Sequence, residues 1–269
     1  MDHRRSRASI AICAVLAIGV AVLALFGPLL TSGSPTEQRS LPFEPATGPL
    51  PLGSDEIGRD VLVRVLHGGL PVLVLAMGST LLASAISVVV GLATGLAERR
   101  ASELTVRIID VVGVAPPLLL MLIIATGFPG SDLAVLVAVA LVCVPFSVRV
   151  VRAAARQVSA LGFVEIARAR GDRWWSVLRH DVLPAVSGTL VAELGIRFTA
   201  AIHLTATAGF LGLGRGAPAA NWGRMVNENF PGMALNPWPV LVPALLLVMF
   251  AVSVNLLADE AAHRIGGRR

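Results

Sequence analysis

The chain has 269 residues, of which 55% are hydrophobic and only 14% charged. One soluble core of this size cannot hide that much apolar surface, whereas a bilayer solvates the outside of a helical bundle as well. The formal net charge is +5 and all 22 basic residues are arginine, but they sit in short clusters beside apolar runs, the pattern of membrane flanks rather than of a nucleic-acid-binding face.

Residues 9–30 carry no charge and are long enough to cross about 30 Å of hydrocarbon at about 1.5 Å per residue. Arg4, Arg5 and Arg7 precede this run. It exceeds the roughly 7–15-residue apolar region of a cleaved signal peptide, and no small-x-small site ends it. Residues 1–30 are therefore read as a cytoplasmic tail and first membrane helix. Residues 31–69 form an external segment that starts rich in Pro, Ser and Gly and is expected to end in an amphipathic helix on the outer surface.

Further charge-free runs cover 70–97, 111–130, 133–148 and 237–258. The run at 133–148 is short and is expected to continue past Arg149, whose side chain would snorkel to the interface. Pro116 and Pro117 remove backbone donors and predict a kink in the helix that holds them. A sixth apolar stretch, 183–213, carries Glu193, Arg197 and His203. Cys13 and Cys143 lie far apart inside apolar runs and fit no metal motif.

With the N-terminus inside, sixteen of the 22 arginines fall on cytoplasmic flanks, five on external segments, and Arg197 inside a helix. This bias fits six spans with both termini cytoplasmic. It makes 70–260 a core of five membrane helices, with a basic cytoplasmic loop at 152–183 and a tail at 261–269.

The loop is the most informative segment. It runs Gly162-Phe163-Val164-Glu165-Ile166-Ala167-Arg168-Ala169-Arg170-Gly171-Asp172 and then Arg173-Trp174-Trp175 to Leu183-Pro184. The pattern predicts two short amphipathic helices meeting at Gly171, where glycine permits a sharp turn and a close approach by a partner. Pro184 is placed at the start of the next membrane helix. Upstream, Gly53-Ser54-Asp55-Glu56-Ile57-Gly58-Arg59-Asp60-Val61-Leu62-Val63-Arg64 reads as a helix capped by Ser54. Asp55/Arg59 and Asp60/Arg64 are its i,i+4 pairs. Glu193 and Arg197 are one turn apart, which suits either a pathway lining or a structural ion pair. His203 alone reads as a helix–helix hydrogen bonder. Paired intramembrane Asp, His-Glu-x-x-His and Gly-x-Ser-x-Gly are absent from the sequence, which argues against a membrane-embedded enzyme.

The loop resembles the EAA signature of ABC-importer permeases at Glu165, Ala167, Gly171, Leu183 and Pro184, with Ile166 in place of the middle alanine; the adjoining Asp172 belongs to the same turn. A basic loop held on the lipid surface by two tryptophans is the plainer reading of the same residues. The segment at Gly53, Asp55, Gly58, Arg59 and Asp60 is similar to a motif of dipeptide and oligopeptide permeases. Phe210-Leu211-Gly212-Leu213-Gly214, Trp222-Gly223, Pro237-Trp238 and Asn255-Leu256-Leu257-Ala258-Asp259 follow in the family's order. The resemblance, over roughly 50–260, is to the second, shorter-looped permease type of the dipeptide/oligopeptide/nickel ABC importers.

The resemblance implies an all-α, multi-pass protein of the cell (inner or plasma) membrane with the type I, MetI-like permease fold. It implies half of a passage for peptides or a similar small solute, completed by a homologous second permease. Two ATPase subunits would dock on the loop, and an external substrate-binding protein would deliver the solute. No catalytic residue, metal or cofactor is expected on this chain. ATP and magnesium would sit on the ATPases, since a Walker A loop needs a lysine and this sequence has none. Where many members carry an acid just before the Phe-Leu-Gly-Leu-Gly run, this chain has Thr205. A secondary transporter driven by an ion gradient is the alternative.

Overall fold

The computed structural model describes residues 2–97, 99–216 and 218–266, and side chains except those of 2–9, 99–101, 165, 168, 259 and 261–266. Most of the described residues are helical, with 30–60 the longest exception: α1 Asp2–Phe26, α2 Val61–Leu96, α3 Arg99–Val114, α4 Pro117–Gly127, α5 Asp132–Ser159, α6 Gly162–Ala169, α7 Trp174–Val177, α8 Leu183–Phe210, α9 Trp222–Asn229 and α10 Trp238–Gly266.

Among the described residues five helices are long and apolar enough to cross a membrane, and α3 with α4 makes a sixth span only as a bent pair. The bend is 86°, so the predicted kink is a full break. Pro117 opens α4, and Pro116 preceding it is extended, because proline disfavours the helical region for the residue before it. As expected, α5 runs on past Arg149. That side chain is not merely snorkelling: its Nη2 lies 2.7 Å from Asp110 Oδ1 on α3.

The expected surface helix in 31–69 is absent as a separate element. Residues 61–69 are the first turns of α2, and 54–60 form a turn. Asp60, not Ser54, caps the helix, its side chain accepting from the Leu62 and Val63 amides. Ser54 is instead buried among residues 41–55, donating to the Leu41 carbonyl and accepting from the Glu44 amide.

Helices α2 and α5 form the spine. Ser79, Ala83, Ser87, Gly91 and Gly95 recur every fourth residue on α2, and all are buried. Small side chains at that spacing let two helix backbones approach closely, which is how membrane helices associate without a hydrophobic drive between them. A Cβ at Gly91 would lie 2.7 Å from Val151 Cβ, and one at Gly95 2.6 Å from Ala155 Cβ. Ser79 Oγ donates to the Leu136 carbonyl at 3.0 Å across the same contact. Near its start α2 is crossed by α9, where Trp222 packs on Gly68 and Gly69 and its Nε1 donates to the Val65 carbonyl at 2.8 Å.

Candidate functional site

Four groups of residues singled out in the sequence are placed as follows. Residues 160–183 lie at the end of the bundle where α2 finishes and α8 starts. Helix α6 is amphipathic and turns one face inward: Val164 and Ala167 are fully buried and join Leu92, Val151, Val177, Val182 and Val186 in one apolar cluster. Because Ala167 is fully buried, a larger side chain there would have to displace its neighbours, a packing reason for alanine at that position. Its neighbour Ile166 points the other way and is 60% exposed, with Phe163 beside it at 46%. The departure from the alanine pattern therefore sits on the outward face and enlarges it. The side chain of Glu165 lies outside the described residues.

The helix closes in a Schellman-type turn, with the Asp172 amide donating to the Ala167 carbonyl at 3.2 Å and Gly171 at φ +82°. An L side chain there would be strained by roughly 1–2 kcal/mol. Among the described residues, and apart from its two chain neighbours, no heavy atom comes within 4 Å of where a Cβ on Gly171 would be. Asp172 Oδ2 accepts from Arg170 Nη2 at 3.0 Å on the surface. The second helix starts at Trp174, ten residues before Pro184, and runs through a π-helical turn at Leu178–Val182 into α8. The turn has a local cause: Pro184 has no amide and its ring crowds the carbonyl four residues back, so the Leu183 amide reaches Leu178 instead.

Glu193 and Arg197 do come together, Oε1 to Nε at 2.7 Å. The Nε–H is not aimed along that line, so the contact is an ion pair without a hydrogen bond. Ser147 Oγ on α5 donates to the same Glu193 oxygen at 2.7 Å, and the guanidinium lies 5.8 Å from the Phe146 ring centroid. The pair thus ties α8 to α5. His203 stands apart, exposed, with Nδ1 2.8 Å from the Thr199 carbonyl of its own helix, and among the described residues it makes no hydrogen bond to a neighbouring helix. Thr205 is buried and donates to the Ala201 carbonyl; it lines a cavity of about 50 Å³ with Asp132, Arg215 and Asn221.

The Gly53–Arg64 segment is held at the opposite end. Asp55, Arg59 and Arg64 are all buried. Asp55 Oδ2 lies 2.5 Å from both Arg59 Nε and Arg64 Nη1, while its Oδ1 accepts from the Ile57 and Arg59 amides. The predicted Asp55/Arg59 pair is therefore present, though in a turn. Asp60 does not pair with Arg64; its carboxylate caps α2 and approaches Arg39 at 4.0 Å. The second partner is one the sequence reading missed: Glu228 on α9, whose Oε2 lies 2.9 Å from Arg64 Nη2 and 3.3 Å from Arg59 Nη2. Burial, followed by the neighbouring Glu228 charge, pushes the Glu56 carboxyl above its ordinary value. Gly53 and Gly58 both have positive φ, and a Cβ on Gly58 would meet the Ser40 carbonyl oxygen at 2.0 Å. The glycines of this motif therefore serve the turn.

Residues 87–266 match the family described as binding-protein-dependent transport system inner membrane component. The chain belongs to that family, the multi-pass membrane permease subunits of ABC importers. It is 33% identical over 209 residues to the glutathione transport system permease protein GsiD of Pectobacterium atrosepticum, covering 77% of this chain and 69% of the relative. It is 30% identical over 241 residues to the dipeptide transport system permease protein DppC of Alkalihalophilus pseudofirmus, covering 88% and 79%. The probable D,D-dipeptide transport system permease protein DdpC of Escherichia coli is 30% identical over 255 residues, covering 91% and 83%. In fold the chain resembles a subunit in inward-facing conformations of the MetNI methionine ABC transporter, with a TM-score of 0.61 and 19% identity over 76% of this chain and 96% of that one. The MetI-like fold and the permease class expected from the motifs are borne out, and the ion-gradient alternative gains no support.

Proposed function

We propose that this chain forms half of the passage through which an ATP-driven importer carries peptides, and that 152–183 is its cytoplasmic handle. The reading is supported by one feature above the others. Helix α6 is anchored on one side by fully buried Val164 and Ala167, and offers Phe163 and Ile166 exposed on the other. A rigidly based helix with an uncovered apolar face suits a second protein that pushes on it. Two ATPase subunits docking there would supply the force, binding ATP and magnesium themselves, and this chain would do no catalysis. A homologous permease would complete the passage, and an external binding protein would present the solute. The arginine bias supports a cytoplasmic position for both termini and for this loop. Similarity to permeases named for dipeptides and for glutathione supports a peptide cargo.

The test is reconstitution of the full complex with its binding protein. Dipeptides, longer peptides, glutathione and nickel chelates are added in turn, and ATP hydrolysis is followed. Stimulation by one or more peptides is expected. Stimulation by nickel chelates alone would refute the peptide reading, and uptake by this chain without ATPases would refute the ABC mechanism.

A further inference from the structure

Beside the proposed handle lies a cleft of about 470 Å³, within the range of about 300–1,000 Å³ typical of small-molecule sites. One wall is the last third of α2, with Val89 and Leu92; the other is Trp174, Trp175, Leu178 and Arg179. Val89 and Trp175 are each 69% exposed, so the cleft opens sideways rather than into the bundle. The indoles meet edge to face at 4.5 Å between centroids. Arg179 is exposed at the rim, next to exposed His180; Asp181, half-buried, is the acid on that turn, and exposed Arg173 precedes the tryptophans.

We propose that this cleft binds one anionic phospholipid, its acyl chain along α2 and its phosphate on Arg179. Three observations converge. The walls are apolar, and the α2 wall lies near the end of a helix long and apolar enough to cross a membrane. Tryptophan pairs belong at headgroup depth, where an apolar ring needs a wet edge. Arginine suits a phosphodiester, since its planar fork can donate two hydrogen bonds to one phosphate. A lipid held there would wedge α2 against the base of α7 and so bear on the same segment that the ATPases are proposed to move. Which leaflet supplies the lipid rests on the cytoplasmic placement of 152–183.

The experiment uses the assembled complex in nanodiscs containing a trace of phosphatidylglycerol or phosphatidylcholine with a photoactivatable acyl chain. After illumination, labelled peptides are located by mass spectrometry. Label on 88–93 and 174–179 is expected to be about fivefold higher with the anionic lipid, the preference one interfacial arginine supplies. Arg179→Gln should lower it to the zwitterionic level, Arg179→Lys should keep most of it, and Val89→Trp should fill the cleft and abolish label from both lipids. Equal labelling by the two lipids, unchanged labelling of Arg179→Gln, or unlabelled peptides because a partner subunit covers the cleft would each overturn the proposal. Arg179 is exposed, so its variants test the site even if Val89→Trp fails to assemble. Peptide-stimulated ATP hydrolysis in the same discs reports on the transport reading separately.

Discussion

The end of the bundle around Asp55 and the end around Gly171 are fastened differently. At the first, two fully buried arginines share Asp55 and reach Glu228, so the 54–60 turn, the start of α2 and α9 form one ionic lock. At the second, the inner face of α6 is dry and apolar, its outer face is uncovered, and among the described residues nothing beyond its chain neighbours would meet a Cβ at Gly171 within 4 Å. A lock made of buried charges has few alternative arrangements, because any displacement strands a charge in a low dielectric. An apolar contact is non-directional and keeps its strength through a small slide. The contrast suits a fixed frame at the Asp55 end and a movable grip at the Gly171 end.

Breaking the lock gives the largest expected effect. Glu228→Ala removes one of the two acids shared by Arg59 and Arg64 and leaves Asp55 to hold both; full loss of a partner in a buried pair costs about 3–5 kcal/mol, which is the ceiling here. Thermal unfolding of the purified complex should fall accordingly, with little assembled protein recovered; near wild-type stability would show that the cluster is not a lock. An intermediate effect is expected at Glu193→Ala, which strips Ser147 of its acceptor and leaves a half-buried arginine unpaired. Interhelical polar contacts of this kind contribute about 1–2 kcal/mol at most. Reduced yield or flux is expected, and Glu193→Gln, which keeps the Ser147 contact, should recover part of it. Full yield and flux in Glu193→Ala would make the pair dispensable.

Glu56 offers the smallest test, at the rim of the lock. Its carboxyl is raised by burial and by Glu228, so the folded state holds the proton more tightly than the unfolded chain does. Its contribution is therefore full below the unfolded value of about 4.3 and is lost as pH rises through the folded value. Glu56→Gln should be slightly more stable than wild type at neutral pH, with the difference fading in acid. A variant less stable at neutral pH would show that Glu56 strengthens the cluster by its charge.

How far the sequence led differs between the two ends for the same physical reason. The Gly171 end is local: the turn, both short helices and the inward Ala167 all arise within a score of residues, so periodicity and glycine placement suffice. The lock is not local. Arg64 and Glu228 are 164 positions apart, and no periodic signal links them. Seen alone, Asp55, Arg59, Asp60 and Arg64 at four-residue spacing imitate a surface helix, and tertiary charge pairing overrides that pattern. The broken α3–α4 span was readable from Pro116 and Pro117 as a disturbance, but its 86° size depends on what packs around it. The small-residue series from Ser79 to Gly95 was visible in the sequence throughout, and reading it would have paired α2 with a close neighbour.

The claim that the Gly171 end transmits ATPase motion is tested most directly by Gly171→Trp in the reconstituted complex. The site is open within this chain, so insertion and assembly are expected to be normal apart from the modest strain of a positive φ. Peptide uptake should be lost while the complex still forms. Wild-type uptake by an assembled Gly171→Trp complex would contradict the account.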